Sequence, residues 1–200
     1  MKENGKKNME NLAYNIKKYT YQDLLEIDDG KRYEIIDGVL YEMSSPSVTH
    51  QNIVGELYVQ FYNYLKGKKC KVFISPLDVC LSGVKNPKKE YNIVEPDITV
   101  VCDENKITDK CIMGAPNMVI EVVSKYSRKH DTFIKFNLYQ HYGVKEYWII
   151  DTEAETISQY ILNEKNMYAL QKIYEITEDI KVDVLKNCTI SLKELFKEIE

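Results

Sequence analysis

Two hundred residues, 44% of them apolar and 29% charged, describe a globular chain long enough for one domain with a proper core. The net charge of −4 gives no whole-molecule attraction for nucleic acid, the first twenty residues hold no apolar signal segment between their lysines, and no later stretch approaches the roughly 18 apolar residues that span a bilayer. Five cysteines, at 70, 80, 102, 111 and 188, form neither a CxxC pair nor a zinc-spaced cluster, so the expectation is a soluble cytoplasmic protein with reduced, mostly packed thiols.

In chain order, residues 1–19 read as an N-terminal tail and 20–200 as a single domain. Thr20 heads "YTYQDLLEID" as an N-cap, with Leu24, Leu25 and Ile27 on the apolar face of a short helix. "RYEIIDGVLYEMS" predicts two strands joined at Asp37-Gly38, a dipeptide suited to a tight hairpin. In "THQNIVGELYVQFYNYLKG", Val54, Leu57, Tyr58, Phe61 and Leu65 recur at helical spacing and Gly67 lies past the end, the pattern of an amphipathic helix. "CKVFISPLDVCLS" predicts one or two strands broken around Pro76, and "NPKKEY" an exposed loop. "EPDITVVC" and "NMVIEVV" are β-branched strands. A helix from about 127 to 142 presents Phe133, Phe136, Leu138 and Tyr139 until Gly143 closes it, and "EYWIID" returns as a buried strand. "ISQYILN" and "MYALQKIYE" form a hairpin and "SLKELFKEI" a last helix, together a C-terminal addition over about 155–200. Strands and helices interleave, which predicts an α/β or α+β domain: a mixed β-sheet flanked by helices.

Glu121 interrupts the apolar run "MVIEVV", where an ionised carboxylate costs several kcal/mol unless it is paired, protonated or metal-bound. Strand alternation puts Val119, Glu121 and Val123 on one face, and Asp97, Thr99 and Val101 on one face of the preceding strand. If the strands are neighbours, Asp97 and Glu121 converge. Converging anions call for a cation, and hard oxygen ligands suit Mg²⁺ or Mn²⁺, ions that lower the pKa of a bound water and stabilise charge on a phosphoryl oxygen. The plainer alternative has Asp97 opening a strand after Pro96 and Glu121 pairing with a lysine at the sheet edge. Lys125, Arg128 and Lys129 in "SKYSRKH" follow closely on Glu121 and tip the balance toward a site, since such cations hold a phosphate backbone without reading its sequence. Alone they would be a solvated turn.

The ordered set "EPD", "IEVVS", "DTFIK" and "YGVKEYWIID", preceded by "RYEIIDG" and "THQNIV", resembles the PD-(D/E)XK nuclease superfamily, and more closely its Uma-two branch of restriction-endonuclease-like proteins, from about Tyr21 to Asp151. The resemblance implies a restriction-endonuclease-like fold and a Mg²⁺- or Mn²⁺-dependent endonuclease acting on DNA, with the C-terminal addition available for homodimer contacts. It implies Asp97 and Glu121 as metal ligands and the Val122 carbonyl as a further one. Val123 stands where the signature lysine would be, and in this branch a lysine of the following helix takes its place; Lys135 matches. Its long stem can carry an ammonium back over the sheet, there to orient or help deprotonate water and to offset phosphate charge. A plain helix pair between Asp131 and Lys135 is the alternative. Glu34 resembles the family's extra N-terminal carboxylate, completing the metal shell directly or through water, or else pairing with Arg32. His50 matches a family position near a helix start, as a phosphate or water contact, a cap, or a packing residue. Two rival functions stand beside the nuclease: a catalytically inactive nucleic-acid-binding module, which Val123 and the acidic net charge favour, and a carboxylate-pair glycosidase that needs no metal and so ignores EDTA.

Overall fold

The computed structural model describes residues 17–124, 128–193, 195 and 196. Thr20 caps α1 (Tyr21–Glu26): its hydroxyl accepts from the Asp23 N–H while the Asp23 carboxylate accepts from the Thr20 N–H at 2.8 Å. β1 (Tyr33–Ile36) and β2 (Val39–Glu42) pair antiparallel around Asp37 and Gly38, whose φ of 52° and 81° supply the two left-handed residues that a two-residue hairpin requires. Ser47 caps α2 (Val48–Leu65) by accepting from the His50 N–H at 3.1 Å. β3 (Lys71–Ile74) and β4 (Asp78–Cys80) lie on either side of Pro76, and a 3-10 turn, Pro87–Lys89, sits in the expected loop. There follow β5 (Ile93–Val94), β6 (Ile98–Val101), β7 (Cys111–Met113) and β8 (Met118–Val123). A π-helical turn, His130–Lys135, runs into α3 (Phe136–Tyr142), which ends at Gly143 with φ 78°. β9 (Glu146–Asp151), β10 (Thr156–Leu162), β11 (Tyr168–Glu175), β12 (Asp179–Lys181) and β13 (Thr189–Ser191) complete the chain.

The class is α+β with mixed sheets, as the sequence implies, but the strands divide among three sheets rather than one. A six-stranded sheet has the order β11-β10-β9-β8-β6-β3, parallel only at β8–β9. A five-stranded sheet, β2-β1-β5-β4-β7, packs on one of its faces, and β12-β13 make a separate ribbon. The periodicity of α2 explains the other face: Ile53, Val54, Leu57, Phe61 and Leu65 bury against Val100, Ile120, Trp148 and Ile150. The opposite side of the same strands, Val101, Val119, Val123, Tyr147 and Ile149, packs with Val79, Val94, Leu138 and Tyr139. Covered on both faces, β8 is buried along its whole length, the usual setting of a parallel strand.

Three expectations need correction. The last helix is not formed by the described residues: Ser191 ends β13, while Leu192, Lys193, Leu195 and Phe196 are not helical, Glu194 and 197–200 lying outside the described residues. Leu192 and Leu195 are instead buried with the α2 face of the sheet, so local amphipathicity serves packing without a helix. Phe133 is 66% exposed: five and six residues before Leu138 and Tyr139, it lies roughly 140° and 240° around a helix from them and faces away from the side they bury. The five thiols are not all free: β3–β6 pairing sets Lys71 against Val101, and one residue further on Cys70 meets Cys102 in a disulfide with Cα atoms 3.9 Å apart. Cys80, Cys111 and Cys188 are free and buried. No helix among the described residues is long and apolar enough to cross a membrane.

Glu146 fastens the C-terminal segment to the sheet. Fully buried on β9, it accepts from Trp148 Nε1 at 2.8 Å, Gln159 Nε2 at 2.7 Å and the Val184 N–H at 2.9 Å. Burial pushes its carboxyl above the usual range, and the donors from Val184, Gln159 and Trp148 pull it back. Glu146→Ala strands donors at two or three of these positions, at about 1–3 kcal/mol for each one left unpaired, so a net loss of ~2–4 kcal/mol is expected in urea unfolding.

Candidate active site

The register of β6 and β8 answers why a buried strand tolerates Glu121. Ile98 faces Ile120, and one residue further along both strands Asp97 comes opposite Glu121 on the same side of the sheet. Asp97 stands just before the β6 ladder, and its carboxylate accepts from the Val122 N–H at 2.7 Å. The other Asp97 oxygen lies 3.0 Å from His50 Nε2, in the first turn of α2. The Asp97 carbonyl in turn accepts from the Ser75 N–H. Glu121 is only 3% exposed, so the sequence-level conflict between its charge and its strand is real and is met by specific partners.

Those partners come from the π turn and α3. Lys135 Nζ reaches 3.0 Å from Glu121 Oε1, 2.8 Å from Glu34 Oε1 and 3.5 Å from Asp131 Oδ1. Tyr139 OH donates to Glu121 Oε1 at 2.6 Å. Both readings of Lys135 therefore hold geometrically: it pairs with Asp131 and it reaches back over the sheet. Glu121 does pair with a lysine, but in the interior rather than at the sheet edge. Burial draws the Lys135 ammonium down, yet Glu121, Glu34 and Asp131 outweigh it and hold its pKa well above the usual lysine value. The two glutamates diverge. Burial raises Glu121, Lys135 opposes it, and Asp131, Asp97 and Glu34 raise it further, so its carboxyl lies well above the usual range. Burial also pushes on Glu34, but Lys135, His130 and the Glu95 N–H bring it down to about 2. The difference is in the donors: Glu34 collects three, whereas Glu121 sits among anions.

Glu34, His50, Asp97, Glu121 and Lys135 line one cleft of about 720 Å³, together with Val122. Arg32 also reaches it but does not pair with Glu34; its guanidinium bonds Glu95 at 2.5 Å and Ser75 at 2.6 Å. Arg128 is engaged with Asp151 and, at 3.1 Å, Glu153, and Lys129 is exposed. Lys125 lies outside the described residues. Sequence reasoning missed His130, whose Nε2 is 3.4 Å from Glu34 Oε2 and whose ring is 4.8 Å from that of Tyr41. It also took Tyr139 as merely apolar. His130 and Lys135 are five residues apart, roughly 140° around an ideal α-helix, so helical spacing hides their common target. A signal was present only in the chemistry, a histidine and two charges within six residues.

Comparisons with known proteins agree with this fold. The Uma2 family model, described as "Putative restriction endonuclease", matches residues 19–193. The uncharacterized protein slr1290 of Synechocystis sp. is 28% identical over 135 residues, covering 67% of this chain and 68% of that protein. A crystal structure described as "a putative nuclease belonging to DUF820", from Anabaena variabilis, superposes with a TM-score of 0.67 at 18% identity, over 88% of this chain and 97% of the other. At that identity the likeness speaks for the fold.

Proposed function

This chain belongs to the Uma2 family of restriction-endonuclease-like proteins, and from that premise we propose that it is a divalent-metal-dependent endonuclease that hydrolyses DNA phosphodiesters through a metal-activated water. The observation that carries the reading is the cross-strand pairing of Asp97 and Glu121 at the floor of a cleft into which Lys135 reaches. The donor chemistry fits Mg²⁺ or Mn²⁺. Among the described residues no three His, Cys, Asp or Glu side chains stand together tightly enough to hold an ion, so the set is Asp97, Glu121 and the Val122 carbonyl, with waters filling the remainder, as Mg²⁺ commonly takes one or two carboxylates. The anionic surroundings that lift Glu121 toward its protonated form are what a bound cation would relieve. When bound, the ion supplies a water of lowered pKa and charge stabilisation at the phosphoryl oxygen.

The chain's own groups do the rest. Asp97 is held by His50 and the Val122 N–H, so its carboxylate is fixed before any ligand arrives. Lys135, kept cationic by three carboxylates, acts through its charge, orienting the attacking water and offsetting the negative charge that develops on the phosphate. The long side chain takes over the task of the lysine that Val123 displaces. His50 lines the cleft and Lys129 is exposed, so both are assigned to the flanking phosphate backbone, and Lys125 with them on the sequence alone. Incubation with supercoiled plasmid tests the proposal: nicking or linearisation with Mg²⁺ or Mn²⁺, abolished by EDTA, is expected. DNA binding with no cleavage under any divalent ion would overturn it in favour of the inactive binding module.

A further inference from the structure

Resting on the nuclease reading, the geometry points to a task for Glu34 other than the one the resemblance implies: we infer that Glu34 and His130 form a clamp that positions Lys135. Glu34 Oε1 accepts from the Glu95 N–H at 2.9 Å and forms an ion pair with Lys135 Nζ at 2.8 Å. Oε2 faces His130 Nε2 at 3.4 Å. The Glu95 N–H and the Lys135 ammonium both depend on this carboxylate staying where it is.

The clamp is built from three elements. β1 carries Glu34 into the interior, β5 runs on to Glu95, whose N–H fixes the carboxylate, and the π turn brings His130 and Lys135 to its two oxygens. Tyr41 on β2 packs against the His130 ring and holds its plane. With Glu34 in place, the Lys135 ammonium is fixed between β1 and β8 within reach of Glu121. Glu34 and His130 are thus positioning residues that act on the reaction through Lys135.

Glu34→Gln and His130→Asn separate a clamp from a ligand. Manganese titration by calorimetry is expected to give the same Kd for Glu34→Gln and wild type, and a much weaker one for Asp97→Asn. Plasmid cleavage by Glu34→Gln should show kcat down by about 10- to 100-fold at unchanged KM, with a smaller fall for His130→Asn. Acetylation of Lys135 by acetic anhydride, followed by mass spectrometry, should be slow in wild type and several-fold faster in Glu34→Gln. Loss of Mn²⁺ affinity in Glu34→Gln matching that of Asp97→Asn would make Glu34 a ligand and overturn the clamp. If wild type neither binds Mn²⁺ nor cleaves DNA, the nuclease reading fails on its own, and the acetylation rate still decides the clamp: equal rates in wild type and in both variants would sink it.

Discussion

Asp97→Ala is expected to lower metal-dependent cleavage by at least about 10³-fold while leaving the fold intact. Removal of a single preorganised group that stabilises transition-state charge costs about 10²–10³ in rate, and a metal ligand also holds the ion that generates the nucleophile. A 10³-fold loss is about 4 kcal/mol of barrier, at 1.36 kcal/mol per decade. Stability should suffer far less. Asp97 precedes the β6 ladder and is not part of it, so its removal leaves the Val122 N–H and His50 without their acceptor but disturbs no core side chain. Initial rates on supercoiled plasmid, read beside urea midpoints, separate the two effects. Cleavage by Asp97→Ala at the wild-type rate would remove the site assignment at its root.

Lys135→Met is expected to damage both chemistry and stability. The thioether keeps most of the stem but deletes the cation shared by Glu34, Glu121 and Asp131. Breaking a buried ion pair from one side costs about 3–5 kcal/mol, a large part of the 5–15 kcal/mol that holds a typical domain together. The pH dependence follows from the sign. Burial already raises Glu121 above its unfolded value, and without the ammonium the same desolvation and mutual repulsion lift its neighbours as well. Carboxyl groups raised in the folded state bind protons there more tightly than in the unfolded chain, so their stabilising contribution is present below the unfolded pKa and is lost as pH rises through the folded one. Lys135→Met should therefore lie much closer to wild type in urea at pH 5 than at pH 8. Equal deficits at both pH values would mean that the carboxylates find another counter-charge. Cleavage should fall by about 10²–10³-fold, the range for removing one preorganised group that stabilises transition-state charge.

Much of the fold is legible because single-period signals coincide with burial. The spacing of Val54, Leu57, Phe61 and Leu65 locates α2 and the side that meets the sheet, and Asp37-Gly38 locates the first hairpin by backbone sterics alone. Alternation along "EPDITVVC" and "NMVIEVV" suffices to aim Asp97 and Glu121 at each other, provided that the strands are neighbours, which β6–β8 pairing satisfies. Lys135 became visible only through the resemblance, since neither its distance in sequence from Glu121 nor helical spacing announces the contact. His130 stayed hidden because a π turn closes i to i+5, a period that six residues are too few to reveal. The exchange of partners between Arg32 and Glu34 was equally closed to local reasoning: Arg32 finds Glu95 and Glu34 finds Lys135 across sequence separations of 63 and 101 residues, fixed by the packing of the two larger sheets. The short β12 and β13, three residues each, are held by a ribbon partner and the core rather than by composition.

Trp148 gives the molecule an internal optical gauge. It is the sole tryptophan, fully buried, and its ring centroid lies 6.0 Å from that of Phe61 on the α2 side of the sheet, whereas Glu121 looks out from the other side. Its fluorescence therefore tracks the integrity of the interior, so a variant that glows like wild type yet cuts nothing has lost its chemistry and kept its architecture.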